Sequence, residues 1–166
     1  MKTSQSSLHS FQLSSLSPLD GRYQEHIAEL HTLFSEYALL KFRTFVEIEW
    51  LQTMISVTNG NKNKALTPKT RKFLNNIFAK FSLEDAKHIK EIEIKINHDT
   101  KAVEYFIKEK IANHPELQKH YELIHFGCTS DDTNNLAYAL MLKEARDKCL
   151  LPQLQLIIQK LRDLAH

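Results

Sequence analysis

The chain has 166 residues, of which 42% are hydrophobic and 25% charged, and its formal net charge is +2. These values argue against disorder and against nucleic-acid or membrane binding driven by bulk charge, and they fit one domain, or one domain and the start of a second. No apolar run approaches the roughly 18 to 20 residues that cross a bilayer. The two cysteines, Cys128 and Cys149, suit a reducing cytoplasm.

The N-terminal stretch, residues 1–16, is rich in serine and lacks the apolar core of a secretion signal, so we predict a flexible tail. A proline, an aspartate and a glycine in residues 17–21 then predict a turn. This turn holds Arg22 and Tyr23 side by side. The pair suits an anion, or it is a surface cation beside a partly buried aromatic.

Three helices are predicted next. The first runs from about Ser35 to Val57 with one buried apolar stripe, made of Leu39, Phe42, Phe45, Val46, Trp50, Met54 and Val57. The second starts with Thr67 as its N-cap and Pro68 at the first position, and its apolar face consists of Phe73, Leu74, Ile77, Phe78 and Phe81. The third follows Ser82, with a carboxylate three residues later, and ends near Ile94.

A polar break at Asn97, His98 and Asp99 separates this helix from a fourth, whose apolar side consists of Val103, Phe106, Ile107 and Ile111. A second break at residues 113–115 precedes one or two helical turns within 116–122. No alternating strand pattern competes with these helices. The sequence therefore predicts an all-α fold.

The last helix begins near Ser130 and continues to the end of the chain, and Pro152 should bend it. Its apolar positions include Leu136, Leu140, Cys149, Leu154, Ile157, Leu161 and Leu164. The part from Leu150 to Ala165 is apolar on much of its circumference, and no later helix in this sequence covers it. We expect that it docks on another chain or that the sequence is cut.

The start of this helix combines small hydrogen-bonding residues with a glycine, in residues 125–132. Free backbone N–H groups, the helix dipole and the hydroxyls of Thr129 and Ser130 suit a carboxylate or a phosphate. The alternative is a simple N-cap whose two following aspartates complement the dipole. Their negative charge also competes with an anion for the same donors.

Three polar elements stand out: the pair Arg22 and Tyr23, residues 97–99, and the pair Thr129 and Ser130. Binding groups are usually displayed at loops and element ends, so these elements would form a site if the fold brings them together. Alternatively, residues 97–99 only cap and break helices.

Two other kinds of site fit the sequence less well. A zinc site would draw on His98, Asp99, His125 and Cys128, but the spacing matches no metal motif. A serine hydrolase is no better supported, because Ser130 lies in no nucleophile-elbow context.

Several longer motifs closely resemble the N-terminal part of the bacterial adenylosuccinate lyases, a family of the fumarase and aspartase superfamily. The order and the spacing of the motifs both match. The resemblance extends from about Ser14 to the last residue. The motifs are Ser17-Pro-Leu-Asp-Gly-Arg-Tyr23, Phe34-Ser-Glu-Tyr37, Leu40-Lys-Phe-Arg43, Glu47-Ile-Glu-Trp-Leu51, Asn97-His-Asp99, Lys101-Ala-Val-Glu-Tyr105 and Ile124-His-Phe-Gly-Cys-Thr-Ser130.

This resemblance implies an all-helical homotetramer whose active sites draw residues from three subunits. Residues 17–128 would form an N-terminal helical domain, and residues 129–166 would start the central helical bundle. Such enzymes of purine biosynthesis eliminate fumarate from adenylosuccinate, giving AMP, and from the succinylocarboxamide ribotide SAICAR, giving AICAR. The reaction is a β-elimination that needs no cofactor.

The resemblance also implies substrate-binding roles. Arg22 and Tyr23 would contact the nucleotide phosphate. Residues 97–99 would form a second binding loop in which His98 helps to orient the substrate. The sequence leaves open whether this imidazole acts as an auxiliary acid, an orienting group or a phosphate contact.

Thr129 and Ser130 would bind a carboxylate of the succinyl group. The family's general-acid histidine and its catalytic serine lie in segments that this sequence does not contain. We therefore expect an N-terminal piece that carries substrate-binding residues and is inactive alone.

Two alternatives remain at this stage. One is another lyase of the same superfamily, such as an argininosuccinate lyase, although the turn before Tyr23 and residues 97–99 match the purine enzyme better. The other is a helical interaction module that uses the uncovered face after Pro152 to bind a partner helix.

Overall fold

The computed structural model describes residues 12–58 and 66–165, and every regular secondary-structure element in these ranges is a helix. The all-α prediction is therefore confirmed, whereas most of the predicted tail, residues 1–11, lies outside the described residues. Short 3₁₀ turns at Gln24–Ile27 and Gln118–Leu123 accompany the α-helices. The described α-helices are α1 (Ala28–Phe34), α2 (Glu36–Thr58), α3 (Pro68–Ala79), α4 (Leu83–Ile96), α5 (Asp99–Ile111), α6 (Ser130–Ala145) and α7 (Leu151–Ala165).

Local capping chemistry explains where α3 and α4 begin. The Thr67 side chain accepts a hydrogen bond from the Thr70 backbone N–H, and Pro68 occupies the first helical position, where its missing N–H costs nothing. Ser82 and Asp85 form a reciprocal capping box at the start of α4. Both helix starts are confirmed as predicted.

The long helix α2 is the central element, and it contacts α1, α3, α4, α5 and α6. The prediction of a single buried stripe was wrong. Of the predicted stripe only Phe42 and Val46 are buried, while Val57 is exposed. A second buried face consists of Leu40, Ile48, Leu51 and Ile55. Because α2 packs on both sides, its apolar residues do not follow one stripe.

The main core lies between α2 and the helices α3, α4 and α5. The whole predicted apolar side of α5 is buried there, namely Val103, Phe106, Ile107 and Ile111. Each large side chain removed from water in this way contributes roughly 1.5–3 kcal/mol. This core holds the start of α5, and with it residues 97–99, against α2.

A smaller core joins α2 to α6. It consists of Phe42 and Val46 from α2 with Ala137 and Met141 from α6. The predicted apolar position Leu136 is exposed, because α6 turns Ala137 rather than Leu136 toward α2.

A π-helical turn, Arg146–Leu150, joins α6 to α7, and the Leu151 N–H donates to the Arg146 carbonyl. This wider turn ends two residues before Pro152, which has no N–H to continue the α-helical hydrogen-bond pattern. The predicted bend of the helix axis at Pro152 stays a prediction. Every described residue of α7 is exposed, which agrees with the prediction that no other helix of this sequence covers its apolar face. No helix in residues 12–58 and 66–165 is long and apolar enough to span a membrane.

Candidate functional site

The turn that carries Arg22 and Tyr23 is tight. The backbone N–H groups of Gly21 and Tyr23 donate to carbonyls within the turn at 3.1 and 3.0 Å. A Cβ on Gly21 would come within 2.7 Å of the Gln12 carbonyl oxygen, so a side chain does not fit there. The Arg22 guanidinium stacks 4.7 Å from the centre of the Tyr23 ring, and both side chains are exposed. The turn thus presents a cation to solvent.

Residues 97 and 98 form the corner between α4 and α5. Asn97 takes the left-handed conformation, with φ of 53°, and its N–H donates to the Glu93 carbonyl at 2.7 Å, as a helix C-cap does. His98 is the N-cap of α5, because its Nδ1 accepts a hydrogen bond from the Lys101 N–H at 3.2 Å. Since Nδ1 accepts, the ring proton of a neutral His98 lies on Nε2.

Asp99 is the first residue of α5, and both of its carboxylate oxygens have internal partners. Oδ1 accepts a hydrogen bond from the Thr100 N–H and Oδ2 accepts one from Arg43 Nη2, each at 2.7 Å. Partial burial alone would raise the pKa of Asp99, but the Thr100 N–H and the Arg43 guanidinium outweigh burial, and the pKa is lowered. Asp99 is therefore held as a carboxylate that faces Arg43.

Thr129 is the N-cap of α6. Its hydroxyl donates to Asp132 Oδ2 at 3.0 Å and accepts from the Asp132 N–H at 3.4 Å, while its own N–H donates to the same carboxylate at 2.8 Å. These hydrogen bonds lower the pKa of Asp132, first through the Thr129 backbone and then through its hydroxyl. The capping alternative is confirmed, and the Asp132 carboxylate competes with any ligand for the Thr129 donors.

Arg43 joins the second and third polar elements. It lies in α2, is 4% exposed, and donates from Nη2 to Asp99 and from Nε to Asn134 Oδ1 at 2.8 Å. Asn134 follows Ser130 by one turn of α6. The structure therefore connects residues 97–99 with the start of α6. The contacts described for Arg22, by contrast, lie within its own turn.

One turn further along α2, Glu47 holds the loop before α6. Its Oε1 accepts hydrogen bonds from His125 Nδ1 at 2.6 Å and from the Thr133 hydroxyl at 2.8 Å. Glu47 is 1% exposed, and its Oε2 is buried without a hydrogen-bond partner among the described residues. His125 has a φ of 58°, in the left-handed region that few non-glycine residues adopt.

Trp50, one further turn along α2, donates from Nε1 to the Phe126 carbonyl at 2.9 Å. A cavity of about 590 Å³ opens between α2 and α6 beside this loop, with Trp50, Glu47, Gly127 and Cys128 in its lining. Burial, helped by the nearby Glu47 and Asp132 carboxylates, raises the pKa of the Cys128 thiol. The thiol is thus kept protonated.

The sequence patterns did not single out Arg43, Glu47 and Asn134 as parts of this site. The signal was present, because Arg43 and Glu47 are charged residues one helical turn apart inside an apolar helix, where an unpaired charge is costly. For the zinc alternative, no group of three or more potential ligands is found in residues 12–58 and 66–165.

The chain is similar over most of its length to curated adenylosuccinate lyases. The chain is 50% identical to an adenylosuccinate lyase of Haemophilus influenzae over 154 residues, 93% of this chain and 34% of the relative. It is 50% identical to the Escherichia coli adenylosuccinate lyase over 92% of this chain and 34% of the relative, and 44% identical to that of Buchnera aphidicola over 91% and 33%. The chain thus spans about a third of the length of these relatives.

A family model described as "Lyase" matches residues 21–166, which include all three polar elements and the helices α1 to α7. The match covers most of the chain, and the chain belongs to this lyase family.

Proposed function

We propose that this chain is the N-terminal, substrate-binding part of an adenylosuccinate lyase. The full protein would eliminate fumarate from adenylosuccinate to give AMP, and from SAICAR to give AICAR, in purine biosynthesis in the cytoplasm. The observation that carries this proposal is the 50% identity to curated adenylosuccinate lyases over 93% of the chain. A match of that extent includes the three polar elements, whereas similarity restricted to core helices would support only the fold.

The reaction is a β-elimination. A base removes the proton next to a carboxylate, an acid protonates the departing nitrogen, and fixed donors stabilise the negative charge that develops on the carboxylate. Binding and orienting the two ends of the substrate brings the reacting bond to the acid and the base.

The nucleotide phosphate would bind at Arg22 and Tyr23. The guanidinium provides two parallel N–H donors that match two phosphate oxygens, and its position over the Tyr23 ring holds it in the exposed turn. Arg22 has no carboxylate partner among the described ion pairs, which supports its availability for a phosphate.

The succinyl part would bind between residues 97–99 and the start of α6. The exposed Nε2 edge of His98, the N-terminal N–H groups of α6 and the Ser130 hydroxyl supply donors on the two elements that Arg43 connects. The internal partners of Asp99 support an anchoring role for its carboxylate within this loop.

The acid and base of the full protein would come from segments outside this sequence, so we expect no turnover from these 166 residues alone. The full protein would be a homotetramer with active sites shared between subunits. The exposed apolar side chains of α7, among them Ile157 and Leu161, support the proposal that further helices of a bundle cover this helix.

The test uses a fusion enzyme, in which this chain replaces the matching N-terminal third of the Escherichia coli relative. We expect the fusion enzyme to release fumarate from adenylosuccinate. Arg22→Ala should raise KM about 10- to 100-fold, as expected for losing a charged hydrogen bond, with a smaller change in kcat. Arg71→Ala, which removes an exposed arginine of α3, is the matched control.

A folded fusion enzyme that does not cleave adenylosuccinate would contradict the proposed function. An unchanged KM for Arg22→Ala in an active fusion enzyme would contradict only the phosphate role. Cleavage of argininosuccinate instead of adenylosuccinate would favour the related lyase.

A further inference from the structure

We propose that Arg43 is a positioning residue that fixes the spacing between the two elements that bind the succinyl part of the substrate. The inference rests on the proposed function for its catalytic consequence, and on the contacts of Arg43 for its physical basis. Arg43 itself need not touch the substrate. It acts through Asp99 at the start of α5 and through Asn134 in α6.

The first observation is the geometry of the guanidinium. Nη2 lies 2.7 Å from Asp99 Oδ2 and Nε lies 2.8 Å from Asn134 Oδ1. The guanidinium is planar and rigid, so two hydrogen bonds from different nitrogens set the distance and the angle between the two acceptors. Two helices that start at different points of the sequence are thereby held in one arrangement.

The second observation is that both carboxylate oxygens of Asp99 already accept hydrogen bonds within the chain. Oδ1 is bound by the Thr100 N–H and Oδ2 by Arg43. The carboxylate therefore links the first turn of α5 to α2. Any movement of Arg43 moves residues 97–99, including the exposed His98 ring that caps the same helix.

The third observation is the burial of Arg43 itself, although the Asp99 carboxylate at the other end of the ion pair is partly exposed. Arg43 is 4% exposed, and Glu47, one turn away, is 1% exposed and binds the Thr133 hydroxyl next to Asn134. A buried charged hydrogen bond is stronger and less mobile than an exposed one. The side of α2 that carries Arg43 and Glu47 therefore holds the first two turns of α6 in place.

The consequence is catalytic. Bond breaking requires the substrate carboxylate and the rest of the succinyl group to be held at a fixed separation, and displacement by about 1 Å can reduce turnover about 100-fold. Arg43→Lys keeps the positive charge but replaces the fork by a single ammonium group on a flexible stem. It can satisfy one acceptor while leaving the spacing between the helices unfixed.

We expect Arg43→Lys to lower kcat of the fusion enzyme about 10- to 100-fold. The matched control is Lys108→Met, which breaks a buried ion pair with Glu104 at 2.9 Å within α5, about two turns beyond Asp99, while Glu104 keeps its second ion pair, with Lys101 at 2.7 Å. Both variants should lower the melting temperature, but only Arg43→Lys should change kcat. Asn134→Asp, which keeps an oxygen acceptor for Nε, should retain near-normal turnover, whereas Asn134→Ala should not.

A second measurement tests the inference without turnover. In the 166-residue chain, Arg43→Lys should speed backbone hydrogen exchange in residues 97–101 and in 129–134 together, and Lys108→Met should not. If Arg43→Lys prevents folding, Asn134→Ala takes its place in both measurements.

Unchanged kcat in an active fusion enzyme overturns the inference, and so does exchange that changes in only one of the two segments. Should the fusion enzyme be inactive with wild-type residues, the proposed function fails. The hydrogen-exchange result then tests on its own whether Arg43 couples residues 97–101 to residues 129–134.

Discussion

Thr129 and Ser82 provide a matched pair for separating a helix cap from a substrate contact. Both residues are N-caps in capping boxes, at the starts of α6 and α4. Only Thr129 lies in a proposed binding element. We therefore compare Thr129→Ala with Ser82→Ala, because each substitution removes one hydroxyl that binds a carboxylate and an N–H three residues later.

The two changes should cost similar stability. The Thr129 hydroxyl accepts from the Asp132 N–H at 3.4 Å and the Ser82 hydroxyl accepts from the Asp85 N–H at 3.2 Å. Loss of an N-cap costs about 1 kcal/mol, and the longer bond at Thr129 puts its cost no higher than that of Ser82. Urea unfolding of the 166-residue chain measures both values.

Kinetics of the fusion enzyme then separate the roles. If Thr129 also binds a substrate carboxylate, Thr129→Ala should raise KM for adenylosuccinate about 10- to 100-fold, the usual value of a hydrogen bond to a charged group. Thr129→Ser should restore it, and Ser82→Ala should leave KM unchanged. Equal KM values for Thr129→Ala and Ser82→Ala would refute the substrate role and leave Thr129 as a cap alone.

Three further predictions concern stability. Ile89→Ala should cost about 2–5 kcal/mol, because Ile89 is fully buried, whereas Ile94→Ala on the same helix, 80% exposed, should stay within about 0.5 kcal/mol in urea unfolding. A hydrogen bond to Glu109 at 2.5 Å raises the pKa of His88, so the stability gained from protonated His88 should be present below pH 6.5 and lost as pH rises through the raised pKa. His88→Gln should remove that pH dependence. The free energy of unfolding should change by less than about 1 kcal/mol, because the His88–Glu109 pair is exposed. An unchanged dependence of the unfolding free energy on pH in the variant would contradict this prediction. Glu47→Gln should cost about 1–3 kcal/mol, because an amide whose oxygen keeps the hydrogen bonds from His125 and Thr133 places its NH₂ group at the buried Oε2 position, which has no described partner; an unchanged urea midpoint would contradict this expectation.

Helix starts were predictable because their causes are local. The caps at Thr67, Ser82 and Thr129 each need only a side chain and an N–H three residues later, and all three are observed. The position of the corner at residues 97–99 was predictable for the same reason.

Which residues of α2 are buried was harder to predict from the sequence. A helix that packs on two sides does not confine its apolar residues to one stripe, so Val57 of α2 was wrongly placed in the buried stripe. The site contacts were out of reach because they join distant positions. Arg43 and Asp99 are 56 residues apart in sequence, and Glu47 and His125 are 78 apart. Only the packing of α2 against α5 and α6 brings these pairs together.

We propose that this chain binds the substrate of an adenylosuccinate lyase while the bond-breaking groups lie elsewhere in the full protein. Fumarate release from adenylosuccinate tests it most directly, with this chain alone, with the remaining two thirds of the Escherichia coli relative alone, and with the two mixed. We expect turnover only in the mixture, and we expect it to fall when the chain carries Arg22→Ala. Release of fumarate by the chain alone, or equal activity of the Escherichia coli part with and without the chain, would contradict it.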